Sequence, residues 1–158
     1  MVDLLASVDA INLGRRIRVA DLATEAAGGS LAGKRIAVLG LAFKPGSDDI
    51  RDSPSLAVCE RVAAEGAIVS AHDPVAMPNA ARAKPNLRYA PSVAPSGAEA
   101  AEGADLVLHL TEWAEYRAID PAWLAAVVAQ PVIIDARCAL DARLWRAAGW
   151  SVRAPGQP

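Results

Sequence analysis

At Gly33 the hydrophobic period of the chain changes, and the range of folds open to it narrows. Downstream, short apolar runs recur: Arg35-Ile36-Ala37-Val38-Leu39-Gly40, Ala67-Ile68-Val69-Ser70-Ala71-His72, Asp105-Leu106-Val107-Leu108-His109-Leu110 and Val132-Ile133-Ile134-Asp135. Runs of this length and composition fit strands buried on both faces of a parallel sheet. Between them lie segments that read as helices, over Ser53-Pro54 to Gly66, Pro121 to Ala129 and Asp141 to Ala148. Ser53 suits an N-cap and Pro54 the first helical position. Shorter helices are expected near Asn79 to Lys84, Ser96 to Glu102 and Glu112 to Arg117. Short strands are expected at Leu87 to Tyr89 and Trp150-Ser151-Val152. Strand and helix alternation of this kind predicts an α/β, Rossmann-like three-layer αβα fold with a mostly parallel sheet. Ligands of such sheets bind at the carboxyl ends of the strands, so the polar loops after Leu39, His72, Leu110 and Ile134 should share one edge.

Upstream of Gly33 the period is helical. Leu4, Val8, Ile11, Val19, Leu22 and Ala26 recur at steps of three and four, with Arg15 as an interruption, and Gly28-Gly29 ends the pattern. A long N-terminal helix over residues 3 to 26 is expected, its apolar face packed on the domain or on another chain.

At 158 residues the chain suits one domain and can bury a core without disulfide or metal staples. A net charge of -2 argues against general nucleic-acid binding or a polybasic membrane surface. No apolar run approaches the ~20 residues of a bilayer span. The first residues carry Asp3 and Asp9 and no basic stretch, so they do not read as a signal peptide. Cys59 and Cys138 are far apart and form no C-x-x-C pattern, which makes a reducing cytoplasm the expected setting.

The segment richest in chemistry runs from Gly40 to Pro54, GLAFKPGSDDIRDSP, between a strand and a helix. Loops this long in compact domains are commonly functional or disordered. Gly40 is followed by Leu41, Ala42 and Phe43, so G-x-G-x-x-G is absent and a backbone cradle for pyrophosphate is disfavoured. Side chains remain. Lys44 offers a point charge and Arg51 a planar fork for phosphate, the helix beginning at Pro54 offers its dipole, and Phe43 offers a surface for a base or sugar. The alternative is that Lys44 and Arg51 pair with Asp48, Asp49 and Asp52 and only order the loop.

This segment resembles the pattern GLAFKPxTDDxRxSP of the C-terminal domain of the UDP-glucose/GDP-mannose dehydrogenase family. Later landmarks follow in the same order: AEGAIVSAHDP, ADLVLHLTEWAEYRAID and PVIIDARCALD resemble the family's Asp-Pro strand end, its TEW segment and its IDxRNxLD segment. The resemblance spans residues 8 to 150, and the TEW segment favours the UDP-glucose branch. It implies the C-terminal, nucleotide-sugar-binding part of an NAD-dependent UDP-glucose 6-dehydrogenase, an enzyme that oxidises a sugar C6 alcohol to a uronic acid. Residues 1–30 would end the central, dimer-forming helix, and residues 31–158 would form the nucleotide-sugar domain. Phe43, Lys44 and Arg137 match residues that line the nucleotide-sugar site. Arg51 matches an arginine that contacts NAD, a cofactor the family holds mainly through its N-terminal domain.

The family's catalytic cysteine, catalytic lysine and dinucleotide fingerprint belong to parts of the enzyme that precede the region matched here. By resemblance this chain alone should bind a UDP-sugar and turn over nothing. Cys59 reads as a small core hydrophobe and Cys138, where the family has Asn, as a neutral replacement. His72 and His109 read as structural and form no metal pair. Asp73-Pro74 reads as a strand stop, with a ribose contact as the alternative. The four tryptophans read as core caps, with base stacking by Trp113 as the alternative. Ser47 and Asp52 stand where the family has Thr and Glu, and the residues from Ala154 to Pro158 depart from the family's Gly-rich tail. Three other functions stay open: a non-catalytic nucleotide-binding or dimerisation module, a fragment of a GDP-mannose or UDP-N-acetylmannosamine dehydrogenase, and one half of an enzyme whose N-terminal half is a separate chain.

Overall fold

The computed structural model describes residues 2–90 and 98–157. Six strands form one sheet: β1 (Arg35–Leu39), β2 (Ile68–His72), β3 (Arg88–Tyr89), β4 (Leu106–His109), β5 (Val132–Asp135) and β6 (Ser151–Arg153). Their spatial order is β3-β2-β1-β4-β5-β6, and every pair is parallel. This is the doubly wound order, so the expected α/β class holds, with an entirely parallel sheet. The chain winds outward from β1 to β3, returns to the other side of β1 at β4, and winds outward again. The carboxyl ends of β1 and β4 therefore flank a crevice where successive loops turn away from each other.

Seven helices are described: α1 (Val2–Ala26), α2 (Pro54–Ala64), α3 (Met77–Ala83), α4 (Ala98–Ala101), α5 (Ala114–Arg117), α6 (Pro121–Val127) and α7 (Ala142–Ala147). The pleat sends alternate strand residues to opposite faces. Ile36, Val38, Leu106, Leu108 and Ile134 enter one core, with Val19, Leu22 and Ala23 of α1 and Leu56, Val58, Cys59 and Val62 of α2. Ala37, Leu39, Val107 and Ile133 enter the other, with Tyr116, Leu124, Trp145 and Trp150. Both faces of β1 and β4 are covered, which explains why these strands read as unbroken apolar runs.

The cap of α2 falls where the sequence placed it, and the structure adds two more. The Ser53 hydroxyl accepts from the Leu56 amide, and Pro54 starts α2. Asp120 and Asp141 cap α6 and α7 through their carboxylates. Gly28 and Gly29, at φ 87° and 100°, end α1. Boundaries shift by a few residues in the less regular parts: α3 starts at Met77, α5 at Ala114, and β6 runs on to Arg153. Of the helix expected near Ser96, the start lies outside the described residues and α4 covers Ala98–Ala101.

The apolar face of α1 divides. Val19, Ala20, Leu22 and Ala23 are buried against α2 and the sheet, whereas Leu4, Leu5, Val8, Ile11, Leu13 and Ile17 are exposed. The stripe of threes and fours is real as helix, but the domain covers only its C-terminal half. Trp145 and Trp150 stack edge to face within the second core, with ring centroids 5.0 Å apart. Trp150 lies just before β6 rather than on a helix.

Candidate functional site

The loop from Gly40 to Ser53 is ordered by its own polar residues. Gly40 leaves β1 at φ 103°, and a Cβ there would overlap the backbone nitrogen and side chain of Thr111, so the loops after β1 and β4 touch only because this residue is glycine. The Phe43 amide donates to the Asp49 carbonyl at 2.8 Å and closes the loop on itself. The Ser53 hydroxyl donates to the Leu41 carbonyl at 2.7 Å, and the Thr111 hydroxyl donates to the Ala42 carbonyl at 2.9 Å. Asn79 of α3 donates to the Asp48 carbonyl at 3.0 Å. These bonds pin the two ends of the loop, at Gly40 to Phe43 and at Asp48 to Ser53.

The cations of the loop separate into two roles. Arg51 donates Nε and Nη2 to the two oxygens of Asp49, both at 3.0 Å. Those hydrogen bonds hold the Asp49 carboxyl down at about 2 and raise the Arg51 guanidinium further. Arg51 is nevertheless 89% exposed on its side chain and does not line the cavity described below. Lys44 is tied by no ion pair among the described residues. The loop-ordering alternative therefore accounts for Arg51 and leaves Lys44 without an ion pair, its charge acting on Asp49 only at longer range. Asp52 pairs instead with Arg16 of α1, whose Nη2 donates to the Asp52 carboxylate at 3.1 Å and to its carbonyl at 3.2 Å. Asp52 sits at φ 51°, a left-handed conformation that glycine, asparagine and aspartate adopt most readily.

Asp135, at the end of β5, shapes the second arm of the site. Its Oδ1 accepts from His109 Nδ1 at 3.0 Å and from the Arg137 amide at 3.3 Å, and Oδ2 accepts from the Leu140 amide at 2.9 Å. Burial pushes its pKa up, but the hydrogen bonds from His109 and the backbone outweigh burial and bring it below the usual carboxylate value. The turn it holds carries Arg137 and then Cys138 at φ 53°. The Arg137 guanidinium donates Nε to Glu112, in the loop after β4, at 2.6 Å.

These loops enclose a cavity of about 610 Å³ at the carboxyl edge of the sheet. Phe43 and Lys44 line it from the first loop, and Arg137 and Cys138 line it from the last. Asn12, Arg15 and Arg16 line it from α1, and Ser55 from the start of α2. Three of the four residues singled out from the sequence thus share one wall, and Arg51 lies outside it. Arg15, read from the sequence as a break in an apolar stripe, is the point where α1 turns from core to cavity. That break was the one sequence signal for the α1 residues, and it was visible only as an irregularity. Cavities of this size suit a nucleotide or a drug-sized molecule, and the cationic side chains favour an anionic one.

The remaining candidates are structural. Cys59 is fully buried in α2, and burial pushes its thiol up to about 12, so it holds its proton. His72 Nδ1 meets the Tyr116 hydroxyl at 2.6 Å, and burial lowers the His72 pKa to about 4. His109 is buried against Asp135 and its Nε2 has no partner. Asp73 is fully buried, which removes the alternative of a ribose contact. Trp113 spends its indole N–H on Asp73 at 3.0 Å and packs on the second core, which removes it as a stacking platform. No cluster of metal-ligating side chains occurs among the described residues. No helix among them is long and apolar enough to cross a membrane.

A family profile described as "UDP-glucose/GDP-mannose dehydrogenase family, UDP binding domain" matches residues 37–142. The UDP-glucose 6-dehydrogenase of Rhizobium meliloti is 39% identical over 136 residues, which cover 86% of this chain and 30% of that protein. The UDP-glucose 6-dehydrogenase AglM of Haloferax volcanii is 41% identical over 134 residues, 85% of this chain and 29% of that protein. A UDP-glucose dehydrogenase structure from Pyrobaculum islandicum superposes with a TM-score of 0.73 at 26% identity, covering 92% of this chain and 32% of that one. The chain spans about 30% of the length of the curated relatives it matches.

Proposed function

The chain belongs to the UDP-glucose/GDP-mannose dehydrogenase family, and we propose that it supplies the nucleotide-sugar-binding side of an NAD-dependent UDP-glucose 6-dehydrogenase. The observation that carries this reading is the convergence of Phe43, Lys44 and Arg137, from loops nearly a hundred residues apart in sequence, on one cavity. Lys44 and Arg137 would take the negative charge of the UDP phosphates, and the half-exposed Phe43 ring would cover a base or sugar face. In this reading residues 1–30 end a central helix and residues 31–158 form the nucleotide-sugar domain. Two unpaired cysteines are compatible with a cytoplasmic setting.

NAD, which supplies the hydride acceptor in the proposed reaction, fits this chain only at its edge. Arg51 presents a largely exposed guanidinium next to the cavity, prepared by Asp49 to stay charged and oriented. The turn after β1 has no glycine pattern for a pyrophosphate, so the rest of the cofactor site belongs to other parts of the enzyme. Cys59 is too deeply buried to act as the nucleophile.

Calorimetric titration with UDP tests the reading. Wild-type chain should release heat on UDP addition, and Lys44→Ala or Arg137→Ala should each weaken binding by about tenfold or more. No heat with the wild type, or affinity unchanged in both variants, would overturn it. The chain by itself should produce no NADH from UDP-glucose and NAD.

A second reading, self-association, is favoured by one observation. Leu4, Leu5, Val8 and Ile11 are all exposed and lie on one side of the first half of α1, and an apolar face of that kind marks an interface. It is compatible with the first reading, as a homodimer formed through α1.

A further inference from the structure

The most heavily used polar group in the described structure is the Asp73 carboxylate, which lies one residue beyond β2 and is fully buried. Its Oδ1 accepts from the Val75 and Ala76 amides at 2.9 and 2.8 Å, which is ordinary turn chemistry. Its Oδ2 does something else. It accepts from the Leu41 amide at 2.8 Å, the Ala42 amide at 3.0 Å and the Trp113 indole at 3.0 Å. Those donors belong to two other loops, one after β1 and one after β4.

Each of those loops leads directly to one arm of the cavity. Leu41 and Ala42 precede Phe43 and Lys44. Trp113 follows Glu112, and Glu112 holds Arg137. On the other side of Glu112, the Thr111 hydroxyl is bonded to the Ala42 carbonyl. Glu112 is therefore fixed from both flanks to the same backbone that carries Lys44. One buried oxygen is the common reference for two cations that come from loops nearly a hundred residues apart. Hydrogen bonds to an ionised acceptor are short and stiff, and a buried carboxylate cannot trade them for water.

We propose that Asp73 is a positioning residue for nucleotide-sugar binding, fixing Lys44 and Arg137 relative to each other through the Leu41–Ala42 amides and the Trp113–Glu112 arm. The inference rests on the nucleotide reading of the cavity given above. It assigns the Trp113 indole N–H a purpose: a tryptophan is required here less for its ring than for the donor that reaches across to Asp73. A ligand with two adjacent phosphates gains from both cations only when their spacing is held before it arrives.

The test is a set of UDP titrations with the full chain. Trp113→Phe keeps the ring and removes only the donor. It should lower UDP affinity about tenfold, while its melting temperature falls no further than that of Leu124→Val, a trimming of the distant core. The effect should also vanish in the Arg137→Ala background, because the arm then positions nothing. Asp73→Asn, which sets an NH2 group or a single neutral oxygen against these donors, should weaken UDP binding at least as much. If Asp73→Asn fails to fold, Trp113→Phe and the cycle carry the test. Wild-type affinity in Trp113→Phe, an equal UDP loss in Leu124→Val, or additivity with Arg137→Ala would each overturn the inference while the nucleotide reading stands. Absence of UDP binding by the wild type would overturn that reading, and the inference with it.

Discussion

Gly40 shows how much one residue decides. It is the last residue before the loop that carries Phe43 and Lys44, and its amide donates to the His72 carbonyl at 2.8 Å. It takes φ 103° and leaves no room for a Cβ beside Thr111. Gly40→Ala is expected to cost about 2 kcal/mol or more, from backbone strain plus overpacking against a neighbouring backbone that cannot move aside. Chemical denaturation would measure it, and a loss under about 0.5 kcal/mol, the range of a neutral surface change, would show that the two loops can part. Asp49 and Arg51 illustrate the opposite case. Their ion pair sits in solvent, so it orients Arg51 without adding much to stability. The residue types of the loop were legible from the sequence, but the pairing was not. Asp52 was a candidate partner for Lys44 or Arg51 and instead binds Arg16, more than thirty residues away in sequence.

At the scale of elements, α1 departs most from a sequence reading. Its spacing gave one apolar face, and helical periodicity is the same whether that face meets a core or solvent. Only the packing shows that Val19, Leu22 and Ala23 are covered and that Leu4 to Ile17 are not. Arg15 and Arg16 stand at the boundary, where the helix passes the cavity. If the exposed half is an interface between copies of the chain, sedimentation equilibrium should give a dimer, and Leu5→Glu with Ile11→Glu should give a monomer at the same concentration. A wild-type monomer at high concentration would remove the self-association reading and leave the nucleotide reading intact. The strands behave differently. β1, β4 and β5 were legible because burial on both faces demands apolar residues along nearly all of their length. β3 and β6 are short and lie at the sheet edges, where that demand lapses, so their bounds blurred.

Several polar side chains are buried among the described residues, including His72, Asp73, His109 and Asp135, and His72 in particular sets the response to acid. Burial lowers the His72 pKa from 6.5 to about 4. Between those values the unfolded chain binds a proton that the folded chain refuses, so stability rises with pH there and is lost as pH falls from 6.5 toward 4. Asp49 and Asp135, whose pKa values lie below the ordinary carboxylate value when folded, add to the loss only further down, as they protonate. The melting temperature should therefore be nearly level from pH 8 to 7 and fall from 6.5 downward. His72→Gln should flatten the part above pH 4. A melting temperature that climbs between pH 6.5 and 4.5 would contradict a neutral, buried His72.

The sequence alone determined the α/β class, the parallel sheet, the cap of α2, and the loop that bears Phe43, Lys44 and Arg51. These depend on local composition and on periods of two and 3.6, which a chain carries along its length. Tertiary structure decided the rest. It brought Arg137 to Lys44, sent Arg51 out of the cavity, added Arg15 and Arg16 to its wall, and tied the loops after β1 and β4 to Asp73. Each of those depends on groups far apart in sequence meeting at the carboxyl edge of the sheet. Hydrogen-bond donors and acceptors become partners only when the fold removes water from between them, and no spacing along the chain records which pair that will be.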